Sequence, residues 1–490
     1  MLPTSSPQTI AIIGGGFSGA MVATQLLRHA TQPLQIKLIE PRATLGQGTA
    51  YSTGFDCHLL NVPAGKISAF PDQPDHFLEW LRCRQVPSPW ATAETVHAGM
   101  FVSRRLYGDY IQSLLPSVLA EAQQRVSGVQ LDWLQDEATA VKSHSQRPTV
   151  YLKSGRMLLV HQVVLALGNL PPADPVVADR GFYQSQRYIR NPWSNQALQQ
   201  IDLDQPLLLI GSGLTMLDWA IALHQRGFRS TMHVISRRGL LPQTHQPTLP
   251  YCITPPNRPH TTRSLLRWLR QEIKLAQQQG SDWRAVIDGL RPYTQTIWQS
   301  LSLIERRRFL RHVRPYWEVH RHRVAPEVAK TIHHLIQTGQ LQLWTGRIQD
   351  YREQTEAVEV YFRARPTNQL HCLTVSTVVN CTGATCNYNR FHHPLIADLL
   401  QTGLALPDPL GLGLEVAANG ALIEANGRMS NWLFTLGPTQ KGRLWETTAV
   451  PELRQQAATL AQQLLQIHQS SCSESYQISK SRSFRYSKAL

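Results

Sequence analysis

Two glycine-rich turns, about two hundred residues apart, constrain the fold of this chain more than any other feature. The first turn, Gly14–Gly19, directly follows the apolar run Ile10–Ile13. The second turn, Gly211–Met216, directly follows Leu207–Ile210. Each turn leads into a helical pattern and then a second apolar run, which predicts a strand, a sharp turn, a helix and another strand. Such units build parallel sheets with helices on their faces, so an α/β fold is expected.

The two units differ at the residue that closes them. Glu40 and Arg237 each stand 26 residues after the first glycine of their own turn. An acid at this strand end accepts hydrogen bonds from a free ribose diol, whereas an arginine suits a ribose that carries a 2′-phosphate. Glycines let the backbone approach a pyrophosphate at the helix N-terminus, and Ser18 could donate to a phosphate too. The chain is therefore predicted to hold FAD in the first unit and NADPH in the second.

The second turn departs from the usual pattern at Met216, where a third glycine is expected. That glycine mainly allows close contact between helix and strand, so its replacement should widen the packing without removing phosphate contacts. Arg237 and Arg238 together favour NADPH over NADH, because two guanidiniums match a phosphate better than a bare ribose. A structural unit without a ligand is the alternative for this turn.

The bulk composition is that of a globular protein. Its 490 residues are too many for one ordinary core, so two or three domains are expected. Seven cysteines without regular spacing indicate a reducing compartment. The sequence has neither a signal-peptide pattern nor an apolar run of about 18–20 residues that could span a bilayer. A cytoplasmic protein is expected.

The net charge of +15 is concentrated in a basic region between residues 258 and 330. A solvated helical surface and an attraction for anionic cofactors or substrates both explain such a region. No nucleic-acid-binding motif accompanies the charge, so neither nucleic acid nor a membrane is expected as a partner. The expected partners are O₂ and a small-molecule substrate, for which an anionic compound would suit the basic surplus.

Other patterns of catalytic residues find little support. Cys381 and Cys386 have the C-x4-C spacing of flavin disulfide reductases, but they bracket a late glycine turn, so inert buried thiols are expected. The histidine pairs lack the companions of a metal site, and no metal is expected. No H-E-x-x-H, G-x-S-x-G or P-loop pattern occurs, so hydrolase and kinase activities are not supported. The catalytic residues stay unassigned.

Eight segments carry a family resemblance that covers most of residues 9–465. They are Ile12–Gly19, His58–Ala64, Leu165–Asn169, Ile210–Asp218, Ser236–Pro242, Val379–Gly383, Leu436–Pro438 and Trp445–Glu452. In this order they resemble the two-dinucleotide flavoproteins of the FAD-dependent urate hydroxylase and L-aspartate N-monooxygenase group, which is similar to class B monooxygenases.

The resemblance implies an α/β fold with two Rossmann-like dinucleotide-binding domains, a helical insertion and a disordered C-terminal tail. The first part of the FAD-binding domain would take residues 1–198, and its second part would take residues 345–468. An NADPH-binding domain would lie between them at 199–344, with a helical region at 262–338. Residues 469–490 would form the flexible tail.

The resemblance also implies the residues that contact each cofactor. Those expected to contact FAD are Gly14, Gly15, Gly16, Ser18, Gly19, Glu40, Asn61, Gly168, Gly383 and Gly437. Those expected to contact NADPH are Gly211, Gly213, Thr215, Arg237 and Arg238.

The activity implied is that of an FAD-dependent NADPH oxidoreductase. A monooxygenase that hydroxylates nitrogen or carbon of a small polar metabolite, by way of a C4a-hydroperoxyflavin, is the leading hypothesis. The alternatives are an NADPH:flavin reductase or oxidase that inserts no oxygen, and a non-catalytic flavoprotein sensor. Neither the substrate nor the oligomeric state follows from the sequence.

Overall fold

The computed structural model describes residues 7–84, 96–143, 147–256, 261–390 and 393–467. The predicted tail at 469–490 lies outside the described residues. The strands, numbered in chain order, are β1 (Gln8–Ile13), β2 (Leu34–Ile39), β3 (Gln130–Leu134), β4 (Ala138–Ser143), β5 (Pro148–Leu152), β6 (Met157–Leu159), β7 (Gln162–Leu165), β8 (Tyr188–Ile189), β9 (Leu207–Ile210), β10 (Met232–Ser236), β11 (Leu341–Glu353), β12 (Val358–Ala364), β13 (Leu370–Val375), β14 (Thr377–Asn380), β15 (Ala421–Ile423) and β16 (Met429–Thr435).

The helices are numbered in the same way. The α-helices are α1 (Phe17–His29), α2 (Gly48–Tyr51), α3 (His76–Cys83), α4 (Arg104–Arg125), α5 (Asn195–Gln199), α6 (Leu214–Gln225), α7 (Thr262–Gln278), α8 (Trp283–Leu290), α9 (Thr294–Ser300), α10 (Leu303–His312), α11 (Arg314–Arg321), α12 (Pro326–Gln337), α13 (Pro394–Gln401), α14 (Lys441–Leu444) and α15, which is helical over 450–467. Short 3₁₀ helices lie at Ala64–Lys66, Gly181–Gln184, Arg291–Tyr293, Tyr388–Arg390 and Gly437–Gln440.

The first sheet has the strand order β15-β16-β7-β1-β2-β3 within the described residues. Its strands from β16 to β3 are parallel, and β15 is antiparallel to β16. Ile10 and Ile12 of β1 face a core shared with α1, α4 and α15, whereas Ala11 and Ile13 face the opposite core, shared with α13. Because β16 pairs with β7, two distant segments of the chain build this domain.

The second sheet has the order β13-β12-β11-β10-β9-β14-β8, again for the described part of the chain. The strands from β11 to β8 are parallel, and β12 and β13 extend the sheet in antiparallel fashion. Leu207 and Leu209 of β9 face a core that includes α6 and α12, while Leu208 and Ile210 face a core that includes β12. Both faces of β9 are covered, which explains why all four of its residues are apolar.

The second sheet extends further along the chain in both directions than the sequence predicts. Strand β8 belongs to it although it precedes the expected boundary at 198/199, and the boundary at 344/345 cuts through β11. Strand β14 pairs with β9 through Thr377 to Asn380, so the sheet ends at Asn380 rather than at 344. The boundaries are corrected accordingly, since local apolar patterns do not reveal which sheet a short strand joins.

Two connections link the domains, and they contact each other. Leu170, on the way to the second sheet, forms an antiparallel bridge with Thr385, on the way back. The amide of Thr385 donates to the carbonyl of Pro171 at 3.3 Å. Leu170 and Tyr388 both pack into the core of the first domain, so the two connections leave that domain at one place.

The helices α7–α12 occupy the region where a helical insertion is predicted. Their aromatic side chains form a core with Trp445 of the segment after α14, whose ring stacks on Trp298 with centroids 5.0 Å apart. Some of the positive charge of this region is neutralised within the protein, because Arg291 makes two hydrogen bonds of 2.7 Å with Glu452 of α15. Arg263, Arg267 and Arg270 of α7 are exposed. Of the helices described, none combines the length and hydrophobicity needed to cross a membrane.

The close contact of α1 with β1 gives a prediction about stability. A methyl group on Gly19 would lie 1.8 Å from the carbonyl oxygen of Gly14, whereas one on Gly213 of the second turn would meet no atom within 4 Å. Gly19→Ala should therefore lower the free energy of unfolding by about 1–3 kcal/mol through overpacking. Urea unfolding of Gly19→Ala and Gly213→Ala measures this. Equal stabilities of the two variants would contradict the packing role of Gly19.

Candidate dinucleotide-binding sites

The first turn brings backbone N–H groups to an open edge of the first sheet. Gly14 has φ +104°, and a side chain there would come within 2.3 Å of the carbonyl oxygen of Ala166 at the end of β7. Gly16 precedes α1 and provides no side chain to cap it. The orphan N–H groups and the helix dipole therefore offer an anion-binding site to a pyrophosphate.

Glu40 is held at the end of β2 by the turn itself. Its carboxylate accepts hydrogen bonds from the amides of Gly15 at 2.8 Å and Arg42 at 3.0 Å. The residue is only 6% exposed, yet it contributes to the wall of a large cavity. A carboxylate fixed in this way keeps lone pairs that could accept hydrogen bonds from a ribose diol.

A cavity of about 730 Å³ lies along the carboxyl edge of the first sheet. This volume is within the range of small-molecule sites. The predicted residues Gly14, Gly16, Ser18, Glu40 and Gly168 line it. The rest of its wall includes the α2 loop and the C-terminal segment, with Gly48, Thr49, Ala50, Tyr51, Pro438, Thr448 and Leu453.

Three of the remaining predicted FAD residues lie just behind this wall. Gly15 donates to Glu40, and Gly19 packs against Gly14 as described above. Gly437 precedes the lining residue Pro438, and a methyl group on it would lie 3.5 Å from the hydroxyl of Ser18. These glycines support the site rather than forming its surface.

Asn61 and Gly383 are not among the residues that line the cavity. The carbonyl of Asn61 instead accepts a hydrogen bond from the Nε2 of His245, at 3.0 Å, in a contact between the two domains. Burial, followed by the positive charge of Arg323, lowers the pKa of His245 to about 4, so the ring is neutral there. Gly383 follows β14 and therefore lies near the second turn. Their expected contact with FAD thus receives no support from the geometry.

The second turn repeats the geometry of the first. Gly211 has φ +101°, and a side chain there would come within 2.7 Å of the carbonyl oxygen of Cys381. Gly213 precedes α6 without a side-chain cap, which leaves N–H groups for an anion. Met216, at the place of the third glycine, is fully buried, and its side chain packs in the core beside β9.

Arg237 and Arg238 both lie exposed at the end of β10, but their surroundings differ. Arg238 lies against Tyr316 of α11, with its guanidinium 5.3 Å from the ring centre, and donates to the carbonyl of Arg311 at 3.4 Å. The side chain of Arg237 is exposed and has no hydrogen bond or ion pair with any described residue. Arg237 is therefore the more available of the two for a 2′-phosphate.

A second, small cavity of about 40 Å³ lies beside the large one, and Thr215 of the second turn lines it. Thr215 and Asp218 of α6 line it from the second domain, while His58 and Arg104 line it from the first. It shares four wall residues with the large cavity, namely Thr49, Ala50, Trp193 and Ser194. The second turn and the large cavity therefore meet at one junction.

The sequence does not indicate that Arg104 and Asp218 pair with each other. The available signal is the carboxylate of Asp218 between the apolar residues Leu217 and Trp219, on a helix that is mostly buried. Cys381 also lies near this junction, where burial and the carboxylate of Asp218 raise the pKa of its thiol. Nowhere in the described ranges do three or more metal-binding side chains cluster.

Comparison with family models finds a match in the first part of the chain. A family model described as FAD-NAD(P)-binding matches residues 11–170, the part that carries the first turn and Gly168. Among proteins with curated descriptions, none matches the sequence.

The fold is shared with solved N-hydroxylating flavoenzymes. The ornithine N-hydroxylase of Kutzneria sp. 744, solved with reduced FAD, NADP⁺ and L-ornithine, has a TM-score of 0.63 at 14% identity, over 94% of this chain and 99% of its own. The L-lysine 6-monooxygenase of Pseudomonas syringae has a TM-score of 0.64 at 16% identity, over 94% of this chain and 100% of its own. The ornithine hydroxylase of Pseudomonas aeruginosa has a TM-score of 0.62 at 15% identity, over 94% of this chain and 99% of its own. The predicted α/β fold with two dinucleotide-binding domains is confirmed.

The environment of Glu40 predicts the effect of removing its charge. Glu40→Gln keeps the shape but leaves one acceptor oxygen, for which the two backbone amides and a bound ribose would compete, so FAD affinity should fall by about 1.5–3 kcal/mol. Titration of the flavin-free protein with FAD measures this. Glu121→Gln, an exposed change on α4, is the control and should bind FAD as the unaltered chain does. Equal affinities for FAD in both variants would contradict the ribose contact.

Proposed function

We propose that this chain is an FAD-dependent NADPH oxidoreductase that works as a monooxygenase on a small polar metabolite. The observation that carries the proposal is the junction between the two nucleotide turns. Thr215 of the second turn and Ala50 of the first domain line the same small cavity, and Ala50 also lines the large one. Two dinucleotides bound at these turns would thus extend towards each other.

The large cavity fits FAD by its residue types. The turn at Gly14 and Gly16 would hold the pyrophosphate, Glu40 would hold the adenosine ribose, and Ser18 would donate to a phosphate oxygen. The ring system would lie towards Pro438, Thr448 and Leu453, which close the cavity on the side of the C-terminal segment. When bound, FAD would supply the redox and oxygen chemistry, while the chain binds, orients and excludes water.

The second turn is proposed to bind NADPH. Gly211, Gly213 and the start of α6 would hold its pyrophosphate, and Arg237 would bind the 2′-phosphate by charge-assisted hydrogen bonds. Gly383 would support this turn rather than contact FAD, since it follows Cys381, on which Gly211 packs. Electrons would then enter from the Arg237 side and pass to the Glu40 side.

The substrate class rests on two separate supports. The solved proteins that share the fold hydroxylate ornithine or lysine, which carry terminal amines. The motif set resembles the urate hydroxylase and L-aspartate N-monooxygenase group, whose substrates are anionic, and the net charge of +15 suits an anion. We therefore propose hydroxylation at nitrogen or carbon of a small, nitrogen-containing and preferably anionic compound.

A screen of NADPH consumption tests this function. The protein purified with FAD is mixed with NADPH, O₂ and panels of amino acids, purines and amines, and hydroxylated product and H₂O₂ are both quantified. Product in proportion to the NADPH consumed is the expected result for a true substrate. Stoichiometric H₂O₂ with every compound would favour the reductase or oxidase alternative instead. A purified protein that cannot bind FAD would contradict both.

The contrast between the two arginines predicts cofactor preference. Arg237→Glu should shift the ratio of kcat/KM for NADPH and NADH towards NADH by about 1–3 kcal/mol, because its bonds to the 2′-phosphate are lost. Arg238→Glu is the matched variant and should shift the ratio less, since Arg238 lies against Tyr316. An unchanged ratio in Arg237→Glu, or a larger shift in Arg238→Glu, would refute this role.

A further inference from the structure

A partly buried ion pair joins the two domains at the junction between the nucleotide sites. Arg104 opens α4 of the first domain, and its Nη1 and Nη2 donate to the two carboxylate oxygens of Asp218 at 2.7 and 3.2 Å. The two side chains are only 21% and 19% exposed. Such a two-point contact between guanidinium and carboxylate defines both a distance and an angle between the elements that carry it.

Further hydrogen bonds tie this pair to one loop of the first domain. The Nε of Arg104 donates to the carbonyl of Leu59 at 3.1 Å, and the Nε2 of His58 lies 3.1 Å from the carbonyl of Asp218. Burial is the main factor that lowers the pKa of His58, so its ring stays neutral and donates through Nε2. Its Nδ1 can then accept from the hydroxyl of Thr53, 2.7 Å away.

The pair is well placed to control the geometry of the second nucleotide. Asp218 lies one helical turn after Leu214, at the start of the helix whose N-terminus faces the proposed NADPH pyrophosphate. Arg104 and Asp218 both line the small cavity, whose wall continues into the proposed FAD cavity. Phe55 and Cys57 also cross between the domains, but their contacts are apolar and do not define an orientation.

We propose that Arg104 and Asp218 are positioning residues for hydride transfer. The inference rests on the proposed function, because it requires NADPH at the second turn and FAD in the large cavity. The step served is the transfer of a hydride, two electrons with one proton, from the nicotinamide of NADPH to the flavin, which leaves NADP⁺ and reduced FAD. The ion pair holds α6 against α4, and this placement of the second turn relative to the large cavity would bring the nicotinamide of NADPH to the flavin of FAD.

The test separates the two half-reactions of the FAD-loaded, full-length protein. The loss of oxidised-flavin absorbance is followed after anaerobic mixing with NADPH over a range of concentrations, and the reduced protein is then mixed with O₂. The variants are Arg104→Met, Asp218→Asn and the conservative Arg104→Lys. Arg105→Met is the control, since Arg105 is the next residue of α4 and pairs with Asp56 at the surface. The side chains of Arg105 and Asp56 are 53% and 63% exposed.

The limiting rate of flavin reduction should fall about 10- to 100-fold in Arg104→Met and Asp218→Asn, as expected for a small misplacement of reacting groups. Arg104→Lys should recover part of the loss. The apparent dissociation constant for NADPH and the reaction of the reduced flavin with O₂ should match those of Arg105→Met.

Limiting rates equal to that of Arg105→Met would overturn the positioning role. So would an equal loss in both half-reactions, or loss of bound FAD, since either result indicates a general structural role. Failure of NADPH to reduce the FAD of the unaltered protein is a different outcome, because it would overturn the proposed function itself.

Discussion

Both domains depend on one backbone contact, made twice. The first glycine of each turn adopts a positive φ and packs on a carbonyl oxygen that directly follows the neighbouring strand, Ala166 for Gly14 and Cys381 for Gly211. The amides of the same two glycines donate to Ile39 and Ile235 at 2.9 and 2.8 Å. Any side chain at either glycine would push the neighbouring strands apart at this point. It would thereby disrupt the edge of the sheet at which a nucleotide can bind.

The features that the sequence predicts well are local ones. The apolar runs before the turns, the helical spacing after them and the acid or arginine at the next strand end all lie within about thirty residues, the span of one βαβ unit. Glu40 and Ser18 accordingly both line the large cavity of the first domain. Met216 was identified as a departure, and its complete burial is consistent with a packing role.

The features that the sequence predicts poorly depend on pairing between distant segments. The short strand Thr377–Asn380 is apolar enough for either sheet, and only its register with β9 assigns it to the second. Gly383 is therefore the counterpart of Gly168, each standing two residues after the carbonyl that a turn glycine contacts. The partners Arg104 and Asp218 are 114 residues apart, and nothing in local spacing indicates that they meet.

The two connections at Leu170 and Thr385 place both ends of the second domain at one point of the first, where a bridge and a hydrogen bond hold them side by side. The strands β7 and β16, which pair in the first sheet, are separated along the chain by the whole second domain. Once the second domain has folded, its adjacent ends bring these two distant segments together. The pairing of β16 with β7 then needs little further loop-closure entropy, in spite of the long separation in sequence.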